Sequence, residues 1–241
     1  MKKIGIGRVV LLLLIASIIF IAALAVYVNF IREDDGKDDG AWTTVKFETY
    51  TDTKIDNQVI ANGSKAKEPT VKLERAGYTF AGWYNEGKKW DFNTTIISTE
   101  LVLTAKWERY FSVKEAEDGT GTLWLAGVNP GIENAQIPST YNGKSITGIC
   151  SQALAGRTEL KSIKLPSTLA YISADAFDGC TSLESIVIPK NVSVIEEGAF
   201  VNCPELKYIY CEAESLPNGW SGEFNKTGAQ VIFGYNGAQM Q

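Results

Sequence analysis

Residues 172–189 read "ISADAFDGCTSLESIVIP", and residues 195–211 read "IEEGAFVNCPELKYIYC". The second stretch repeats the order Ile, Ala-Phe, Cys, Leu, Ile of the first. The interval is fixed: Ile149, Ile172 and Ile195 lie 23 positions apart, as do Leu160, Leu183 and Leu206, and again Ile163, Ile186 and Ile209. Ala153, Ala176 and Ala199 keep the interval, followed by Leu154, Phe177 and Phe200. Ile146, Leu169 and Val192 add another column. Apolar residues in register at a period in the twenties predict a leucine-rich solenoid. One coil is too small to bury its own apolar side, so successive coils stack and share a continuous core.

The pattern L-x-x-I-x-[LI]-P … I-x-x-x-A-F-x-[GN]-C-x-x-L resembles the BspA-like leucine-rich repeat of bacterial surface proteins. The resemblance runs over 136–212 and implies three coils and the start of a fourth. The first coil departs from the pattern: Leu154 replaces Phe, Arg157 replaces Cys, and "TYNGKS" (140–145) lengthens the turn after Pro138. It reads as a capping coil. Residues 109–135 then form an N-terminal cap, in which "RYFSVKEAEDGTGTLWLAG" (109–127) fits a hairpin turning at "EDGTG". Residues 213–241 form the C-terminal cap and tail, with "LPNGWSGEFNKTGAQVIFGY" (216–235) closing the other end. Both caps are needed, because an open solenoid exposes apolar area and strand edges.

Upstream lies a stretch of short strands rich in aromatic residues. "VKFETYTDT" (45–53) alternates apolar and polar residues, the period of a half-buried strand. "GYTFAGWY" (77–84) sets Tyr78, Phe80 and Gly82 on one side, with Ala81 and Trp83 on the other. "LVLTAKW" (101–107) places Leu101, Leu103, Ala105 and Trp107 on one face, and "KWDFNTTI" (89–96) supplies Trp90 and Phe92. This order resembles the Listeria–Bacteroides repeat, the internalin-type B repeat of bacterial surface proteins, over 44–108. The resemblance implies a small β-grasp-like domain acting as stalk or spacer. "TDTKIDNQ" (51–58) stands where the family commonly has an Asn-Gly-Gly turn. Trp83, Trp90 and Trp107 read either as a sugar-stacking platform or as the core of a small domain, which needs large side chains to fill it.

The run Val9 to Ile31 carries no charge in 23 positions, enough for a helix of roughly 34 Å. Lys2, Lys3 and Arg8 precede it, and mostly acidic "REDDGKDDG" (32–40) follows. Residues 1–31 therefore read as a cytoplasmic tip and transmembrane signal anchor, 32–43 as an acidic linker, and the rest as extracellular. A cleaved signal ending near "ALA" (23–25) is the other reading, and it leaves the body secreted. The acidic run does not fit a calcium loop, because Lys37 takes a ligand position when Asp35 is placed first.

The formal net charge of −5 speaks against nucleic-acid partners. The chain has no histidine, which removes imidazole bases, Ser-His-Asp and Cys-His sites and HExxH zinc sites. No cofactor or metal is implied, and no constellation for enzymatic chemistry emerges. "GKS" (143–145) lacks the upstream glycine of a phosphate loop, since Pro138 sits there. Four N-x-[ST] strings, at Asn62, Asn93, Asn191 and Asn225, matter only in a eukaryotic secretory pathway. Cys180 and Cys203 hold equivalent positions in neighbouring coils, where stacked side chains point in parallel; a buried thiol ladder is expected rather than a disulfide. Cys211 falls in the buried Leu165/Ile188 column, and Cys150 in a more exposed one.

The coil strands run through "SIKLP", "SIVIP" and "YIYC". With Ile163 and Leu165, Ile186 and Ile188, and Ile209 and Cys211 inward, the alternate residues face out. That puts Lys164, Val187, Tyr208 and Tyr210 on an open face beside Ser162 and Ser185, with Lys161, Glu184 and Lys207 at its edge. These seven are the candidate partner-binding residues. Two readings of the tyrosines are open: a binding surface, or a contact with a C-terminal cap through Trp220 or Phe224.

The chain is thus expected to be mainly β: a transmembrane helix, a small β-grasp-like domain and a short leucine-rich solenoid with capping hairpins. Its expected function is non-covalent protein recognition or adhesion at a bacterial surface, with a partner on a host, a neighbouring cell or the envelope. The alternative is an envelope scaffold without a host ligand.

Overall fold

The computed structural model describes residues 41–237, and the expected transmembrane segment at 9–31 lies outside them. Among the described residues every regular element is a strand. The chain packs as two units. The first comprises 41–46, 57–68 and 91–101; the second comprises 47–56, 69–90 and 102–237.

In the first unit, the start of β1 (Trp42–Glu48) runs antiparallel to β2 (Gln58–Ala61), in register from Trp42↔Ala61 to Val45↔Gln58. Ser64 and Ile97 form a further antiparallel bridge, and Lys46 pairs with Glu100. The strand stops at Glu48, short of the alternation that continues to Thr53 in the sequence. Tyr50 turns left-handed (φ 54°), and the Thr49 hydroxyl donates to the Thr53 carbonyl at 2.7 Å. Threonine hydroxyls offer the backbone this alternative to a ladder.

In the second unit, β3 (Tyr78–Asn85) pairs antiparallel with β4 (Lys88–Lys89) and with β5 (Leu101–Arg109). A bulge between Phe80 and Gly82 breaks the expected two-residue alternation: Phe80 opposes Trp107, and Trp83 opposes Ala105. The extra residue brings Phe80 to the same side as Trp83, with ring centroids 5.5 Å apart in an edge contact. Trp83 is buried, and the half-buried Trp107 donates its indole N–H to the Thr49 carbonyl at 2.9 Å. Trp83 packs edge-on to Phe47 at 5.0 Å, so its ring belongs to the core, while Trp90 and Trp107 are half-buried.

The solenoid follows without a break. A hairpin of β6 (Phe111–Glu115) and β7 (Leu123–Val128) leads it. Then come β8 (Asn134–Gln136), β9 (Thr140–Tyr141), β10 (Lys144–Ile149), β11 (Ser162–Lys164) and β12 (Tyr171–Ile172). The last are β13 (Ser185–Ile188), β14 (Val194–Ile195), β15 (Tyr208–Cys211), β16 (Gly219–Trp220) and β17 (Gln230–Ile232). "TYNGKS" forms a small hairpin of β9 on β10, which accounts for the lengthened first coil. One side of the coil is an unbroken sheet in the order β16-β14-β12-β10-β7-β6. The other side is two sheets, β11-β8 and β13-β15-β17.

The period-23 columns are the core. Leu125, Ile149, Ile172, Ile195 and Trp220 stack in parallel register across the continuous sheet. Ile186, Ile209 and Val231 do the same across β13, β15 and β17. Phe177 and Phe200 are fully buried and stacked, with centroids 4.9 Å apart and planes at 17°. Their backbone turns join a third ladder: Leu154 N donates to Ala176 O, Phe177 N to Ala199 O and Phe200 N to Phe224 O, at 2.8–2.9 Å. Gly156, Gly179 and Asn202 share one left-handed position (φ 67°, 68° and 53°), which explains the glycine-or-asparagine choice before the cysteine.

The cysteine column has a common bond. Cys180 donates its thiol to the Leu154 carbonyl at 3.2 Å, and Cys203 donates to the Phe177 carbonyl at 3.1 Å. One coil earlier, Arg157 Nε donates to the Val128 carbonyl at 2.7 Å. Arginine thus replaces cysteine because the column requires a donor to the preceding coil. All four cysteines are free.

The C-terminal end differs from the expected capping hairpin. Residues 213–235 make a further coil, whose strands β16 and β17 pair in parallel with β14 and β15. Trp220 takes the isoleucine place and donates its indole N–H to the Val192 carbonyl at 3.1 Å. Its spacing from Ile195 is 25 positions and that of Val231 from Ile209 is 22, so the fixed period hides this coil.

Phe177→Ala should cost about 3–5 kcal/mol in chemical denaturation, because a fully buried ring between two coils cannot be refilled. A loss below about 1 kcal/mol would show that the stack carries no stability. The thiols give a second test. Burial pushes Cys180 and Cys211 up to about 12 and raises Cys203 as well. In the folded chain a thiol reagent at pH 8 should label half-buried Cys150 first, and the other three only after unfolding without reductant. Labelling of Cys150 and Cys211 alone in denaturant would instead show a Cys180–Cys203 disulfide. The neutral thiols favour the fold below their ordinary value near 9, and that contribution is lost as pH rises toward 12. The melting temperature should therefore fall across this alkaline window.

Candidate binding face

The broken sheet on the β11–β17 side carries all seven residues singled out in the sequence. Ile163 of β11, Ile186 and Ile188 of β13, and Ile209 and Cys211 of β15 are buried. Strand alternation therefore turns Ser162 and Lys164, Ser185 and Val187, and Tyr208 and Tyr210 to the outer face. Lys164 is exposed, Val187 is half-buried and Tyr208 is 40% exposed.

Tyr210 departs from the expected exposure. It is only 7% exposed, because Tyr235 of the last coil lies against it with centroids 4.9 Å apart. Tyr208 stacks on its other side at 5.7 Å. The cover is thus Tyr235, and neither Trp220 nor Phe224 supplies it. Those two rings pack edge-on to one another inside the coil at 5.3 Å, and Phe224 also contacts Phe200.

At the edge, Lys161 pairs with Glu133 at 2.8 Å, both side chains exposed. Such a pair contributes little to stability. Glu184 and Lys207 are exposed, and the Lys207 amide donates to the Glu184 carbonyl at 2.9 Å. Sequence reasoning missed the outer residues of β17: Gln230 opposes Tyr208 and half-buried Ile232 opposes Tyr210. The alternation in "QVIF" was the available signal, one coil beyond the regular period.

A groove of about 400 Å³ opens on this face. Its position follows from the sheet topology, since β11 pairs only with β8 and β13 only with β15. Ser162, Lys164, Leu165, Ser185, Val187, Pro189 and Glu212 are among its lining residues. The lining is mainly apolar, with one cation and one carboxylate. That composition suits contact with another macromolecule, in which apolar area is covered and a few charges fix orientation. Burial pushes the Cys180 and Cys211 thiols up to about 12, away from the thiolate form that would react.

Comparison with known proteins gives two family matches. Residues 44–106 match the Listeria-Bacteroides repeat domain, and residues 131–228 match the "BspA type Leucine rich repeat region (6 copies)". Among curated proteins, the chain is 37% identical over 68 residues to a "Putative membrane protein" of Evansella cellulosilytica, covering 27% of this chain and 10% of that protein. It is 35% identical over 80 residues to a "Putative Gly-rich membrane protein" of the same organism, covering 32% and 9%. The chain thus spans about a tenth of the length of the curated relatives it matches. Among solved structures, a leucine-rich repeat protein from Bacteroides ovatus matches at 24% identity and a TM-score of 0.40, over 52% of this chain and 36% of that one. The T. pallidum leucine-rich repeat protein matches at 21% and 0.35, over 52% and 62%. Residues 131–228 of this chain are a BspA-type leucine-rich repeat region, and residues 44–106 are a Listeria–Bacteroides repeat.

Proposed function

We propose that the chain is a membrane-anchored bacterial surface protein that binds a protein partner non-covalently through the β11–β17 face. In this reading the 44–106 repeat is the spacer, the 9–31 run is the anchor, and adhesion to a host or neighbouring cell is the outcome. One observation supports it above the others. The face with unassigned apolar area, Val187 and Tyr208 among mixed charges, also carries the groove at the β11/β13 seam. Rigid, amphipathic tyrosine is favoured at such surfaces because it covers area with few rotatable bonds. The interior of the coil has no surplus polar chemistry to offer, so recognition falls to its outer residues.

A photo-crosslinking residue placed at Val187, in full-length protein displayed on intact cells, should capture a defined protein. The same residue at exposed Thr181, outside the groove, should not. Equal capture at both positions, or none at Val187, would overturn the reading. A captured envelope protein in place of an extracellular one would move the function from adhesion to envelope scaffolding. The tyrosines separate binding from folding. Tyr208→Ser should weaken capture with little change in melting temperature, whereas Tyr210→Ser should lower the melting temperature because it uncovers Tyr235.

A further inference from the structure

A cleft of about 590 Å³ lies between residues 72–80 and strand β8. Tyr110, buried beside it, fixes both walls. Its hydroxyl accepts from the amides of Gln136 (2.7 Å) and Gly77 (3.3 Å) and donates to the Gln136 carbonyl (2.9 Å). Gly77 is left-handed (φ 80°), and a Cβ there would stand 2.3 Å from the Phe111 ring. The Tyr110 hydroxyl therefore ties the two walls together through their backbone groups, and Gly77 packs closely on Phe111.

Strand β8 ends its sheet and has β11 on one side only. Ser162 N donates to Glu133 O, and Ile137 N donates to Lys164 O, at 3.2 and 3.0 Å. Odd-numbered residues of this segment thus turn to β11, and the backbone groups of Asn134 and Gln136 turn to the open edge. Tyr110 takes those of Gln136. Among the described residues the amide and carbonyl of Asn134 have no partner. A free strand edge of this kind accepts an extended chain by backbone pairing.

The charges around that edge are unbalanced. Lys72 is paired with Glu74 at 2.7 Å, and Glu133 is paired with Lys161. Arg75 and Lys164 also line the cleft and have no acidic partner among the described residues. Arg75 lies over the Tyr78 ring at 4.3 Å, and the exposed Phe80 ring adds apolar area. We infer that this cleft binds an extended acidic peptide segment of a protein partner, which adds to the β8 edge at Asn134 and places carboxylates at Arg75 and Lys164. An acidic glycan satisfies the cations but leaves the strand edge unpaired, so the peptide is favoured. The site shares Lys164 with the β11–β17 face but is separable from it, since Val187 is outside the cleft and Arg75 is outside the face.

The test is fluorescence anisotropy on the full chain, with a labelled peptide alternating glutamate and valine as the probe. The glutamate peptide should bind, more weakly as salt rises, and a lysine–valine peptide should not. Arg75→Glu combined with Lys164→Glu should weaken binding roughly tenfold or more, because two charge-assisted contacts become repulsive. Both side chains are exposed, so the melting temperature should hold. Methylation of alternate backbone nitrogens in the peptide should also weaken binding, a readout that needs no protein variant. Absence of wild-type binding, equal binding of the lysine peptide, or an unchanged affinity in the double variant would overturn the proposal. Displacement by oligoglucuronate as effective as by unlabelled peptide would also overturn it, in favour of a glycan. Crosslinking at Val187 and anisotropy of the peptide probe report on the groove and the cleft independently, so failure of one and failure of the other are read separately.

Discussion

Stacking between coils is the constraint on which the solenoid depends. A single coil contributes one or two apolar residues to each sheet and one ring or leucine to the turn, too little to exclude water alone. Placed in register, those contributions become the Leu125-to-Trp220 column, the Ile186-to-Val231 column and the Phe177/Phe200 stack. The same register supplies the hydrogen bonds. Backbone groups that a lone turn would leave unpaired are met by the next turn, as Phe177 N is by Ala199 O. Apolar burial and backbone satisfaction thus come from one translation along the axis. A substitution that spoils the spacing of one coil is felt by its neighbours on both sides.

How far the sequence reveals this depends on how regular the translation is. The columns at 149/172/195 and 163/186/209 were legible because identical environments select similar residues at a constant interval. Arg157 was legible only as an exception, although it performs the task of Cys180 by other means: both donate to a carbonyl of the preceding coil. The last coil was obscured because its insertions and deletions shift Trp220 and Val231 off the period in opposite senses. The bulge after Phe80 was hidden for a related reason. Alternation assumes one residue per step, and a bulge adds one without changing the composition.

The candidate face was legible in outline and not in detail. Strand parity correctly turned Tyr208 and Tyr210 outward, but parity says nothing of what lies above a strand. Tyr235 covers one ring and leaves the other, a fact of tertiary packing 25 residues downstream. The groove beside Val187 was invisible for a different reason. It arises where β11 and β13 do not pair, although "SIKLP" and "SIVIP" look equivalent in sequence.

The two sides of the coil have become unlike each other. On the β6–β16 side the ladder is unbroken, Trp124 fills the space above Gly148, and its ring stacks on Tyr171 at 4.9 Å. Tyr171 donates to the Glu196 carboxylate, which pushes its hydroxyl up to about 12, and Glu196 also accepts from the Ala174 amide at 2.8 Å. Polar groups there are already matched to one another. On the β8–β17 side the ladder is interrupted at the β11/β13 seam and ends at the outer edges of β8 and β17. Lys164 and Ala135 line both openings, and Lys164 is the charged residue they share. Unmet backbone groups and unbalanced charge cost free energy in an isolated protein and become favourable only when something satisfies them. The interruption at the β11/β13 seam, with Lys164 beside it, is what distinguishes this side from the unbroken sheet and is the physical ground for the proposal that recognition lies there.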